Sequence, residues 1–270
     1  MLNRFSHDGT ERAASSRAAK QAFAFAWDKA QEHLWPFFVF AAAWAGLYAL
    51  FALVIFFSPR PFVGVLARGV AGLGVMAFVL WFSYVTLDIA KGKCADIGTM
   101  ARAFLVFADW LLLVRAFLSF VIVGVIALPG LVVMALATSL PFIAPAFAVA
   151  LVVVSWLYII AVIALHANVG FMLVGKDNVV RSPKSVSVSY LRELGATAVK
   201  TASESRAFTE KNAGAYARVW LYGVLLFAAG LVPSILTLGA GSVFLVFMFG
   251  VVLARMYVGT HRVSVPVSQI

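Results

Sequence analysis

Apolar stretches of twenty or so residues recur along this chain, and shorter segments between them hold nearly every charge. A helix needs about 20 apolar residues to cross a bilayer core. On that measure six stretches qualify: residues 35–57, 65–87, 111–137, 144–168, 219–237 and 242–259. Turn-forming segments separate them in pairs: "SPRP" (58–61), "TSLPFIAP" (138–145) and "LGAG" (238–241). Connections this tight make each pair a helical hairpin. The predicted fold is all-α, a polytopic integral membrane protein of six transmembrane helices arranged as three hairpins. The chain divides into a tail at 1–33, helices one to four within 34–174, a polar connection at 175–218, helices five and six within 219–260, and a tail at 261–270.

Composition supports the membrane reading over a soluble bundle. Apolar residues make up 63% of the chain and charged residues 12%, with a mean hydropathy of +1.00. A soluble domain is nearer half apolar and a quarter charged. The first apolar run follows a charged, helical-looking tail, so it reads as a retained span rather than a cleaved leader.

Charge then orients the helices. All the lysines and arginines except Arg60 and Arg68 fall in the tails, the second and fourth connections, and the helix ends beside them. All 11 acidic residues lie on that same side. Basic residues accumulate on the cytoplasmic side of a membrane protein, so both termini are expected in the cytoplasm. The net charge of +10 follows from this asymmetry. Without an aromatic-basic recognition module it does not indicate nucleic acid.

Tryptophans mark the expected cytoplasmic interface. "EHLWPFFVF", "FADWLLLVR" and "YARVWLYGV" place Trp35, Trp110 and Trp220 at the start of the three hairpins. This pattern reads either as an ancient three-fold repeat or as the product of interface rules alone. Arg115 lies five residues beyond Trp110, near enough to snorkel to lipid phosphates, and Arg255 has the same relation to the end of the sixth helix. Trp27, Trp35, Trp110, Arg115, Trp220 and Arg255 are therefore the expected lipid-interface residues. The other reading of the arginines is a gate or ligand counter-ion.

Two polar segments have helical spacing. In "SSRAAKQAFAFAWDKAQEHLW", Phe23, Trp27, Ala30 and Leu34 share a face, which predicts an amphipathic helix lying in the cytoplasmic interface before the first span. In the 175–218 connection, Ser182 and Pro183 have the chemistry of a helix start. Val188, Leu191, Leu194 and Val199 form a modest apolar stripe there, and a second helix is expected from about Ser203 into the fifth span. This basic region suits anionic headgroups or a docking partner.

Chemistry is sparse. No Asp or Glu lies deep in a predicted span, whereas transporters place polar machinery there. His166 and Asn168 sit toward the cytoplasmic end of the fourth helix, and with Arg115 and Arg255 they make a candidate polar cavity. Pro129 and Gly130 read as a kink or end of the third helix, or as part of a cavity; Pro233 reads as a kink. Small residues at Arg68–Gly74 and at Ala42 and Gly46 are expected where helices approach closely. The single cysteine, Cys94, permits no intrachain disulfide and no cysteine-based metal site. Without a catalytic triad, paired carboxylates or a His/Cys cluster, neither an enzyme nor a metal or cofactor is expected.

"GKCADIGTMARAF" (Gly92–Phe104) and "ALPGL" (Ala127–Leu131) resemble the uncharacterised six-helix bacterial inner-membrane proteins of the YciC-like group. The long connection before the last hairpin departs from that pattern. The resemblance implies a bacterial cytoplasmic membrane and carries no reaction with it. The expected function is a non-enzymatic accessory, assembly or lipid-organising module of a membrane complex, with anionic lipids and another membrane protein as partners. The alternative is a transporter or permease-like protein for a small apolar or lipid-like solute.

Overall fold

The computed structural model describes residues 2–57, 61–93, 96–98, 100, 101, 110–139, 145–175, 188–236 and 240–263. Among these the chain is helical and has no strand. The main helices are α1 (Leu2–Phe57), α2 (Pro61–Ala90), α3 (Trp110–Ser139), α4 (Pro145–Leu165), α5 (Val169–Gly175), α6 (Val188–Lys211), α7 (Ala213–Leu236) and α8 (Ala240–Val263). Among the described residues, four stretches are long and apolar enough to cross a membrane: Leu112–Ser139, Pro145–Gly175, Ala213–Leu231 and Gly241–Gly259. Much of the "SPRP", "TSLPFIAP" and "LGAG" connections, Cys94, Ser182 and Pro183 lie outside the described residues. So do the side chains of Trp110, Val188 and Leu191.

The chain forms two compact units. The first comprises Met1–Leu113 and Asn212–Ile270, and the second Val114–Lys211.

In the first unit α8 packs against α1, α2 and α7, which makes it the central helix. Its apolar window is 61% buried, against 17% for that of α7. Small residues explain the close packing. A Cβ on Gly250 would collide with the Phe82 ring and approach Thr86 Cγ2 to 3.2 Å. Gly250 therefore lets α2 lie against the backbone of α8. The aromatic rings of Trp220 and Phe249 meet edge-on at 5.2 Å on the α7 side. By contrast, a Cβ at Gly46 or Gly72 would meet nothing within 4 Å, so neither glycine marks a close approach among the described residues.

The expected interfacial helix before the first span is not a separate element. α1 runs unbroken from Leu2 to Phe57 through Pro36, and at about 1.5 Å per residue it is roughly 84 Å long. Its buried stripe is Ala19, Ala22, Ala26, Ala30 and His33, rather than the Phe23–Trp27–Ala30–Leu34 face. The alanines permit close contact with neighbouring backbones, and the aromatics flank that seam. Phe23 meets Tyr222 of α7 at 5.9 Å and Trp27 meets Phe244 of α8 at 5.7 Å, both edge-on.

The second unit contains an antiparallel pair. The Tyr158 hydroxyl donates to the Ile126 carbonyl at 2.7 Å. A Cβ on Gly130 would lie 2.7 Å from Tyr158 Cδ1 and 3.3 Å from the Ser155 carbonyl. α3 continues through Pro129 and Gly130 to Ser139, so this pair does not end the helix. Proline has no N–H for the carbonyl four residues back. Here Tyr158 brings an outside donor to the adjoining carbonyl, and Gly130 supplies the room for α4.

α6 also departs from expectation. It runs through Ser203 to Lys211, and the break comes at Asn212, whose carbonyl accepts from Ala215 and Tyr216 as α7 begins. Its buried stripe is Leu194, Ala198, Thr201, Ala202, Ser205 and Thr209, while Val199 is exposed. Of the expected apolar stripe Leu194 is buried in this face, and the rest of the face is built of small and hydroxyl-bearing side chains.

Candidate functional site

Two polar constellations stand out, one in each unit. The first is at the C-terminal end of α2. The sequence "LDIAKGK" ends this helix at a glycine, and Gly92 takes a φ of +83°, which glycine adopts without steric cost. The Gly92 N–H then donates to the Ile89 carbonyl at 2.9 Å, and the Lys93 N–H to the Asp88 carbonyl at 3.0 Å. This is the paired bonding of a Schellman cap. Lys91 N–H serves the Leu87 carbonyl at 3.0 Å. One terminal carbonyl remains, that of Ala90, and Arg255 of α8 donates Nη1–H to it at 2.9 Å.

A helix leaves its last four carbonyls without intrahelical donors and carries partial negative charge at that end. All four are satisfied here, the last by a cation. The guanidinium also lies 4.4 Å from the centroid of the Phe25 ring. Arg255 thereby joins α1, α2 and α8. This differs from the snorkelling anchor expected of it: its charge is engaged by a carbonyl and a ring within the protein. Beside it, Asp88 and the Lys93 ammonium lie 3.1 Å apart, and this hydrogen bond holds the lysine above its ordinary pKa. Trp81 Nε1–H donates to the Met100 carbonyl at 3.0 Å, bringing the chain after α2 back against it.

The second constellation is the interruption between α4 and α5. The helix stops at Leu165 and resumes at Val169, and the turn between holds His166 and Asn168, both buried. His166 Nδ1 lies 2.8 Å from the Val162 carbonyl, one turn back, which places a proton on that nitrogen. Asn168 Nδ2–H donates to Thr209 Oγ1 at 3.0 Å, and Thr209 Oγ1–H to the Ser205 carbonyl at 3.0 Å. This relay binds the interrupted apolar helix to the polar α6. Thr209 and Ser205 had no signal of their own in the sequence. An i, i+4 hydroxyl spacing on a polar helix would have been the only indication.

The residues expected at a lipid interface divide. Trp27 and Trp35 are 49% and 73% exposed. Trp220 packs against Phe249, and its Nε1 is buried with no hydrogen-bond partner among the described residues. Arg115 is 6% exposed, so it does not reach outward as a snorkelling side chain would. Of the four candidate cavity residues, Arg115, His166 and Asn168 belong to the second unit and Arg255 to the first, where its partners are Ala90 and Phe25. Among the described residues no group of three His, Cys, Asp or Glu is placed to hold a metal ion.

Comparison with protein-family models, with curated proteins and with solved structures finds no match for this chain.

Proposed function

We propose that this chain is a non-enzymatic membrane protein of a bacterial cytoplasmic membrane, acting as an accessory, assembly or lipid-organising module of a larger membrane complex. In this reading it has six spans in three hairpins, with both termini in the cytoplasm. It resembles the YciC-like group in that location.

The observation that carries the proposal is the surface of α3 and α4. Their apolar windows are only 17% and 11% buried. Val125, Phe147, Val149, Val154, Trp156 and Leu157 are each more than half exposed. A soluble monomer does not present apolar surface on this scale. In a bilayer it is available to lipid or to another membrane helix.

The test is purification of the tagged full chain at native expression in mild detergent, with mass spectrometry of all that is retained. A stoichiometric membrane-protein partner is expected; recovery of the chain with no protein partner refutes the accessory role. Reporter fusions at each terminus and at Arg60 test the orientation, with cytoplasmic signal expected only from the termini.

The transporter reading for a lipid-like solute has one specific observation in its favour, the buried polar interruption at His166–Asn168. Interrupted helices of that kind line solute sites.

A further inference from the structure

Trp156 stands in an unusual place for a tryptophan. It lies near the middle of the 21-residue helix α4, about 15 Å from either end, and it is 54% exposed. Membrane tryptophans gather at the interfaces, where the indole N–H finds an acceptor. The Trp156 Nε1–H has no hydrogen-bond partner among the described residues, and lipid tails offer none. A donor exposed at that depth calls for an acceptor from outside the chain.

The chain presents such an acceptor at nearly the same depth. Pro129 of α3 has no N–H for the Val125 carbonyl, four residues back. Val125 is 61% exposed, and Pro129 is exposed beside it. Tyr158 serves the next carbonyl, that of Ile126, rather than this one. Val125 is also at the centre of the apolar window Leu112–Ser139. Counted from the Gly130–Tyr158 contact, the Val125 carbonyl and Trp156 differ in depth by about one turn.

The two groups cannot meet within one hairpin. Gly130 and Ser155 face each other. Trp156 follows Ser155 by one residue, about 100° forward around α4. Val125 precedes Gly130 by five, about 140° backward around α3. In an antiparallel pair, opposite rotations from the contact lead to opposite flanks. Both flanks are otherwise apolar: Val149 and Ile163 are exposed on the Trp156 side, and Leu136 on the Val125 side.

We infer that copies of this chain associate head to tail in the membrane, the Trp156 Nε1–H of one copy donating to the Val125 carbonyl of the next. Copies inserted the same way hold this donor and acceptor at matching depth, which an unrelated helix has no reason to do. A contact between unlike faces, repeated, closes into a ring or runs on as a row. Packing and interhelical hydrogen bonds hold membrane helices together, so one such bond changes affinity measurably. The inference rests on the membrane reading and is independent of the accessory role.

The test is Förster transfer between full chains carrying donor and acceptor fluorophores at the C-terminus, in phosphatidylethanolamine–phosphatidylglycerol vesicles over a range of protein-to-lipid ratios. The native chain and the exposed control Leu225→Ala are expected to associate alike. Trp156→Phe removes the N–H and keeps a ring; Pro129→Ala supplies an N–H to the Val125 carbonyl. Each should weaken association about threefold to twentyfold. Mixed together, the two variants should pair more strongly than either does alone, because one keeps the donor and the other the acceptor. No transfer in the native chain, native-level association of Trp156→Phe, or no recovery in the mixture overturns the inference. If Pro129→Ala does not fold, thiol crosslinking replaces the mixture. In a Cys94→Ser background, Val149→Cys chains should join Leu136→Cys chains and neither should join itself; like-with-like joining, or none, overturns the head-to-tail contact. A native chain that shows no transfer yet retains a protein partner on purification overturns it while leaving the accessory role intact.

Discussion

Replacing Arg255 by methionine tests whether the cap on α2 depends on a cation supplied from α8. Methionine preserves the length and apolar stem and removes only the donors and charge. The lost hydrogen bond to the Ala90 carbonyl is charge-assisted and worth about 1.5–3 kcal/mol. The contact with the Phe25 ring adds about 0.5–2 kcal/mol at this half-buried position. Favourable placement at a helix C-terminus contributes about 0.3–1 kcal/mol. These overlap, and recovered hydration of the carbonyl offsets part of them, so the expected net loss is about 2–3 kcal/mol.

Hydrogen exchange at the Gly92 and Lys93 amides, which close the cap, provides the assay. Where exchange follows opening of the cap, a loss of 2 kcal/mol corresponds to about thirtyfold faster exchange. The double cycle with Phe25→Leu should show coupling of about 0.5–1 kcal/mol, since Arg255→Met already forfeits the ring contact. Exchange within threefold of native in Arg255→Met would refute the reasoning, because desolvation would then cancel the pairing. Strict additivity with Phe25→Leu would refute the ring contact alone.

Other substitutions examine the remaining packing. Gly92→Ala should cost about 1–2 kcal/mol because an L side chain must enter the left-handed region, whereas Gly92→Asn should cost less; thermal unfolding in detergent ranks them. Gly130→Ala should destabilise the second unit by about 1–3 kcal/mol through overpacking against Tyr158 and Ser155, and Tyr158→Ala should recover part of this loss in the double variant. Thr209→Val should cost about 1–3 kcal/mol by leaving the buried Asn168–Thr209 bond unmade, read as faster exchange in both α5 and α6. An effect confined to α6 would count against the link.

The helical class and the apolar stretches were legible because burial in lipid is a property of composition over a whole window. Tertiary detail hardly enters it. The cap on α2 was half legible. A glycine after "LDIAK" signals a helix end, but the donor to its last carbonyl comes from 165 residues away. Arg255 and Arg115 occupy similar sequence settings, and the sequence offers the same two readings, lipid anchor or counter-ion, for both. Hydropathy distinguishes a span from a loop, not the protein-facing side of a span from its lipid-facing side. The same limit applies to the small residues. A Cβ at Gly46, which has the small-residue spacing, or at Gly72 would meet nothing within 4 Å among the described residues, while Gly130 and Gly250 have close neighbours.

The sequence by itself determined that this chain is helical, rich in apolar stretches of membrane-spanning length, and strongly asymmetric in charge, because these depend on local composition and period. Only the tertiary structure decided that α8 is the core of the first unit. It also turned the charge of Arg255 inward onto the end of α2, and joined the break at His166–Asn168 to a hydroxyl face of α6. Those outcomes depend on which helices meet and at what register, and contacts between segments far apart in the chain leave no periodic trace in either segment.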